Sequence, residues 1–165
     1  MSNYRRVRVP GGTYFFTVNL LERRRRLLVE HIDALRAAFR DAQRARPFDT
    51  VAIVVLPDHL HCVLRLPEGD ADYSNRWAQI KSGFSRRLPI EEYRSKIRCK
   101  KRERGIWQRR FWEHFIIDDE DLIHHINYVY INPLKHGLVS QIRDWPYSSF
   151  HRDVARGLYQ ADWAG

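Results

Sequence analysis

Two histidines one residue apart, His59 and His61, stand at the head of an apolar run, Pro57-Asp58-His59-Leu60-His61-Cys62-Val63-Leu64-Arg65-Leu66. In a strand, residues two apart share a face. Both imidazoles then project together, while Leu60, Cys62, Leu64 and Leu66 face the other way. Neutral imidazole is a common metal ligand, so two convergent rings form half of a metal site. The same spacing also suits an ordinary polar pair on a sheet surface. A second candidate follows in Asp121-Leu122-Ile123-His124-His125-Ile126-Asn127-Tyr128-Val129-Tyr130-Ile131-Asn132-Pro133. On a wheel of about 100° per residue, Leu122, Ile123, Ile126, Val129 and Tyr130 form an apolar side. Tyr128 and Asn132 share the opposite side, with His125 near them. That arrangement offers a hydroxyl nucleophile and a carboxamide oxygen to a site. The plainer alternative makes Tyr128 a half-buried tyrosine and Asn132 the N-cap of a new turn, with Pro133 at its first position and Gly137 closing it.

Elements that would carry these residues are legible in the patterning. Thr13 to Leu21 is rich in aromatic and β-branched residues after Gly11-Gly12, the signature of a strand. Ile32, Leu35, Phe39 and Ala42 recur at helical spacing, predicting a helix over 31–45 that Pro47 ends. Val51 to Leu56 predicts a second strand, and the His-x-His strand follows. Ser74 is the expected N-cap of a second helix, lined by Trp77, Ile80, Phe84 and Leu88. Residues 94–104 carry seven basic side chains against Glu103 and no apolar period, which reads as a mobile basic loop. Ile106 to Ile117 predicts a fourth strand, and Asp118 and Asp119 open a third helix. The order β-α-β-β-α-β gives an α+β fold with a ferredoxin-like (RRM-like) antiparallel sheet, to which a tyrosine helix and a tail are added. Residues 1–140 form the expected catalytic domain and 141–165 its C-terminal tail.

Bulk properties narrow the function. The 165 residues suffice for one domain with a real core, and 44% hydrophobic content suits a globular chain. Twenty-nine basic against 20 acidic residues leave a net charge of +9, which suits a polyanionic partner. Aromatics make up 13% of the chain and include five Trp, as stacking on unpaired bases requires. Candidate DNA contacts are Arg5, Arg6, Arg23 to Arg26, Lys81, Arg86, Arg87, Gln108, Arg109 and Arg110, with Trp112 (or Trp107) as a base-stacking ring. For each arginine the alternative is a solvated basic face. Two cysteines, Cys62 and Cys99, make neither a zinc finger nor a disulfide framework. With no signal peptide and no membrane-length apolar run, a cytoplasmic protein without a membrane partner is expected.

Taken together, the motifs resemble the HUH single-strand nucleases with one catalytic tyrosine, in particular the REP-associated tyrosine transposases. The residues that carry the likeness are Pro57-Asp58-His59-Leu60-His61, Trp107-Gln108-Arg109-Arg110-Phe111, Tyr128-Val129-Tyr130-Ile131-Asn132-Pro133, Gly137-Leu138-Val139 and Trp145-Pro146-Tyr147-Ser148-Ser149-Phe150. The likeness covers about residues 4–160, and the order of the motifs is more specific than any one of them. It implies that His59 and His61 bind a divalent metal, Mg²⁺ or Mn²⁺. Asn132 takes the place of a glutamine third ligand in insertion-sequence relatives, and Tyr128 maps onto the nucleophile. The implied reaction cleaves and rejoins single-stranded DNA beside REP-type hairpins through a 5′-phosphotyrosine, with a monomer rather than a dimer as the acting form. The basic 94–104 segment matches no family pattern. Two other readings use the same residues: a non-catalytic RRM-like single-strand binder, and a hydrolase that needs only the histidines.

Overall fold

The computed structural model describes residues 5–91, 94–102 and 104–165; Glu103 of the basic segment lies outside them. Four antiparallel strands form one sheet: β1 (Thr13–Asn19), β2 (Asp49–Val55), β3 (His59–Arg65) and β4 (Trp112–Phe115), in the order β2-β3-β1-β4. This is the ferredoxin-like order expected from the alternation of elements. The His-x-His segment is therefore an interior strand, fixed on both sides: Thr17 pairs with His61, Asn19 with His59, and Val54 with His61 from the other neighbour.

Alternation along the strands splits the core in two. Leu60, Cys62 and Leu64 join Tyr14, Phe16 and Val18 under α2 (Ile32–Ala45) and α3 (Tyr73–Arg86). Phe15, Ala52, Val54 and Val63 face α5 (Asp119–Lys135) and the C-terminal segment. His59 and His61 belong to this second face, so two-residue periodicity delivers both rings to the helix that carries Tyr128.

Several boundaries differ from the sequence reading. A short helix α1 (Leu27–Glu30) follows the arginine run and buries Leu27 and Leu28. Asp72, not Ser74, caps α3, its carboxylate accepting from Asn75 N–H at 3.1 Å; the Ser74 hydroxyl takes Arg8 instead, at 2.9 Å. Within the basic segment, Ser95 caps a short helix α4 (Lys96–Lys100), so that part is helical rather than an irregular loop. The fourth strand is four residues long, because Trp107 makes only an isolated bridge to Leu20 before the chain loops to Trp112. The last long helix runs through Pro133 without a break. Asn132 is thus an interior helical residue and not the cap of a new turn.

The C-terminal segment closes the free edge of β2. Val55 N–H donates to Tyr147 O at 2.8 Å, Trp145 Nε1 to Val55 O at 2.9 Å, and Val54 bridges Ser148. An exposed strand edge would otherwise invite pairing with another chain. A 3-10 turn (Ile142–Asp144) and α6 (Phe150–Ala155) complete this layer and lie against α5. Among the described residues, no helix is long and apolar enough to cross a membrane.

The interior position of the His-x-His strand has a measurable consequence. Leu60 is fully buried between the two histidines on the opposite face. Leu60→Ala is expected to cost about 2–5 kcal/mol through lost burial and a residual cavity. Urea denaturation would register it as a lower midpoint with an unchanged slope.

Candidate active site

His59 and His61 are both buried, and their ring centroids lie 4.9 Å apart at nearly a right angle. Each is held at Nδ1: that of His59 lies 2.7 Å from the Asp58 carboxylate, and that of His61 2.8 Å from the Thr17 hydroxyl. A carboxylate on Nδ1 favours the tautomer that carries its proton there, leaving Nε2 with a free lone pair. Burial lowers both ring pKa values, that of His61 to about 3, so both rings are neutral near pH 7. Asp58 is itself anchored by Arg23, with Nε to the carboxylate at 2.6 Å. Burial works against its charge, but hydrogen bonds from His59 and Arg23 prevail and hold its pKa below the ordinary value.

Tyr128 faces this pair from α5. Its ring lies 5.3 Å from that of His61 and 5.7 Å, edge-on, from that of Phe15. The Lys135 ammonium sits 5.0 Å over the tyrosine ring, a cation against its π-face. Among the described residues the Tyr128 hydroxyl has no hydrogen-bond partner. Tyr130, two residues on, is the reverse: it is fully buried, with its hydroxyl bonded to Ser149 Oγ at 3.1 Å and to the Asp153 carboxylate. Burial and that carboxylate push its pKa far up. Of the two tyrosines only Tyr128 is presented to the histidines.

The helix wheel needs correction here. Asn132 is fully buried and Tyr128 half-buried, whereas Ile123, assigned to the apolar side, is 57% exposed. The helix lies between two surfaces, the sheet and the C-terminal layer, so its buried arc is wider than one apolar stripe. Tyr130 packs toward Phe150 and Tyr159, while Tyr128 packs toward Phe15 and His61.

Asn132 supplies a test of the metal reading. Its Nδ2 donates to Tyr128 O at 2.6 Å, but its Oδ1 is buried without a partner. A buried carboxamide oxygen left unpaired is costly. This one lies beside the His61 ring and acts on it as an acceptor does, raising that imidazole's pKa against the larger effect of burial. Two buried neutral imidazoles and one buried carboxamide oxygen form a donor set that fits a divalent cation, Mn²⁺ better than oxygen-preferring Mg²⁺. His136, at the end of α5, was not singled out from sequence, yet its ring lies 5.3 Å from that of His59. Its position one residue past the helix gave no period to follow.

The proposed DNA contacts divide. Arg23 to Arg26, with Asp58, His59 and His136, line a pocket of about 340 Å³ beside the histidines. Lys81, Arg86, Gln108 and Arg109 line a larger groove of about 610 Å³, together with Arg98, Arg102 and Arg104. This brings Arg98, Arg102 and Arg104 onto the face of α3. The groove reaches the strand ends, because Gln108 N–H donates to Asn19 O at 3.0 Å and Asn19 pairs with His59. Trp112 is 56% exposed on the sheet face shared with Thr17 and His61, while Trp107 is core, its Nε1 donating to Lys81 O at 3.1 Å. Arg5, Arg109 and Arg110 are exposed.

Besides Arg23, other candidates are engaged in holding the protein together. Arg6 pairs with buried Glu113 at 2.5 Å and stacks on Phe111. Lys81 reaches Gln108 O at 2.9 Å, and burial lowers its pKa to about 8. Arg87 pairs with Asp41 of α2 at 2.5 Å.

A ferredoxin-like sheet that presents two histidines to a helix-borne tyrosine is the arrangement that the resemblance to the single-tyrosine transposases implies. Comparison with known proteins narrows the class. No family model matches the chain. A REP-associated tyrosine transposase of Escherichia coli K12 is 52% identical over 165 residues, covering all of this chain and 92% of its own length. A relative from Haemophilus influenzae Rd, described as a putative REP-associated tyrosine transposase, is also 52% identical, covering all of this chain and 94% of its own length. A solved structure of a REP-associated tyrosine transposase bound to a REP hairpin superposes with a TM-score of 0.87 at 52% identity, covering all of this chain and 92% of that one. The protein belongs to the REP-associated tyrosine transposases.

The contrast between the two tyrosines is open to measurement. Tyr130→Phe takes the hydroxyl from Asp153 Oδ2, while Oδ1 keeps Arg152 at 3.0 Å, and is expected to cost about 1–3 kcal/mol. Tyr128→Phe removes a hydroxyl without a described partner and should change stability by less than about 0.5 kcal/mol. Equilibrium denaturation of the two variants compares them directly.

Proposed function

We propose that this transposase is a metal-dependent single-strand DNA transferase in which Tyr128 is the nucleophile and His59, His61 and Asn132 hold the metal. The observation that carries the reading is the approach of the Tyr128 and His61 rings to 5.3 Å within one chain. Because one chain supplies both halves of the site, a monomer is sufficient. Single-stranded DNA beside a REP-type hairpin is the proposed substrate, in keeping with the REP hairpin bound by the 52%-identical solved relative.

In the proposed first step the Tyr128 hydroxyl oxygen attacks a backbone phosphorus. A phosphorus–tyrosine oxygen bond forms and the bond to the 3′ oxygen breaks. The tyrosine proton passes to water, and the departing 3′ oxygen takes up a proton to become a 3′-OH. The products are a 5′-phosphotyrosine and a free 3′ end. One phosphoester bond is exchanged for another, so a 3′-OH can attack the phosphotyrosine and rejoin strands without an external energy source. A bound divalent cation supplies Lewis-acid polarisation of the phosphate and offsets its developing charge.

The remaining contributions belong to the chain. Asp58 and Thr17 orient the two imidazoles, a role whose loss commonly weakens metal sites by 10–100-fold. Tyr128, held against Phe15, needs no long reorganisation to reach a backbone laid over the histidines. The Arg23 to Arg26 pocket and the Lys81-Arg109 groove offer positive charge on either side of the strand ends. Trp112 offers a flat ring for an unstacked base.

The test mixes protein with labelled, hairpin-flanked single strands and Mn²⁺ or Mg²⁺, followed by a denaturing gel. A protease-sensitive, slower DNA band is expected from the native protein and none from Tyr128→Phe or His59→Ala. An adduct that survives Tyr128→Phe but not Tyr130→Phe would transfer the role to Tyr130. Cleavage without adduct would indicate a hydrolase, and binding without cleavage a passive RRM-like module. Asn132→Ala, which removes the orphaned oxygen, is expected to weaken Mn²⁺ binding about tenfold or more in calorimetric titration.

A further inference from the structure

A second cluster of metal-ligating groups lies outside the His59–His61 pair. His114 on β4 and Asp121 and His125 on α5 each direct a ligand atom into one region, all within 4.8 Å of one another. His114 Nε2 is 2.9 Å from Asp121 Oδ2, and His125 Nδ1 is 3.0 Å from Asp121 Oδ1. The two imidazoles stack nearly parallel, with centroids 4.5 Å apart at 17°. The Asp121 carboxylate is not needed to cap the helix, because Asp118 already accepts from Asp121 N–H at 2.8 Å.

We infer that His114, Asp121 and His125 form a second divalent-metal site, selective for a transition metal of the Zn²⁺ kind, that fastens the start of the tyrosine helix to the sheet. Two imidazoles and one carboxylate with an open fourth position match the donor set that Zn²⁺ takes, whereas Mg²⁺ prefers an all-oxygen shell. The contacts of 2.9 and 3.0 Å are hydrogen-bond distances. Ligand atoms around a tetrahedral Zn²⁺ stand slightly farther apart, so binding requires small side-chain shifts and the exchange of the His125 Nδ1 hydrogen bond to Asp121 O, at 2.8 Å, for the metal. The carboxylate has a fixed mount, since Oδ2 also accepts from Ile117 N–H at 3.0 Å in the β4–α5 connection.

The position gives the site its consequence. His125 lies 4.9 Å from the ring of Phe15, and Phe15 in turn contacts His61 and Tyr128. A metal that joins β4 to α5 would fix the roll of the helix one ring away from the nucleophile. The part played is positioning, not catalysis, and it does not depend on the metal role proposed for His59 and His61.

Zn²⁺ content and thermal unfolding of the full-length protein test the inference. Metal-free protein is dialysed against Zn²⁺, and bound metal is counted by mass spectrometry in the native protein and in His114→Ala, Asp121→Asn and His61→Ala. The native protein is expected to hold about two equivalents, and each of the three variants about one. Zn²⁺ should raise Tm in His61→Ala and leave His114→Ala and Asp121→Asn with a smaller rise than the native protein. Asp121→Asn preserves side-chain size and serves if His114→Ala folds poorly by circular dichroism. One equivalent retained by His61→Ala and lost in Asp121→Asn supports this site, even if the native count tells against the first pair. Undiminished Zn²⁺ in Asp121→Asn and His114→Ala, or none in His61→Ala, overturns it and leaves a hydrogen-bonded cluster.

Discussion

The site depends on how one helix lies across one sheet, and the ring of Phe15 sets that relation. Phe15 is buried at the centre of β1, with His61 on one side and Tyr128 and His125 above it. An aromatic side chain of this kind contributes about 1.5–3 kcal/mol by burial alone. Its rigid shape also sets the distance between α5 and the strands. A smaller residue there would let the helix settle and move the tyrosine relative to the histidines. Packing density, not any direct bond, therefore governs the geometry of the two-part site.

Around that packed centre the electrostatics run in one direction. Arg23 holds Asp58, Asp58 holds His59, and Thr17 holds His61. Each ring is thus engaged at Nδ1 from outside the pair. Burial keeps both rings neutral, which is the state that can donate a lone pair. The +9 net charge works at longer range, concentrating a polyanion near arginine-lined pockets on either side of the strand ends.

The sheet was legible because its period is two and its strands are rich in β-branched and aromatic residues. His59 and His61 could be placed on one face from spacing alone. The tyrosine helix was legible as a helix but not in its orientation. A wheel assumes one buried face, and α5 has two neighbours, so Ile123 went to the wrong side and Asn132 looked more exposed than it is. Pro133 misled for a local reason: proline usually starts or ends a helix, but here the helix continues to Lys135. The basic run gave no apolar signal because α4 buries none of its residues. His136 and the partnership of Asp58 with Arg23 depend on chain reversals that no periodicity encodes.

Tyr128 and Tyr130 show how differently two tyrosines two residues apart can be placed. They differ by two positions, so they stand about 200° apart around the helix axis. One faces the sheet and its neutral histidines; the other faces the C-terminal layer and a carboxylate. A hydroxyl bound to Asp153 and pushed far up in pKa must give up a strong hydrogen bond, and move through packed rings, before it could attack anything. A hydroxyl free of described partners and half-exposed pays neither cost. The C-terminal segment thus does more than seal the edge of β2. By engaging Tyr130 it fixes the roll of α5 from behind, while Phe15 fixes it from the front, and the roll that satisfies both is the one that turns Tyr128 toward His61.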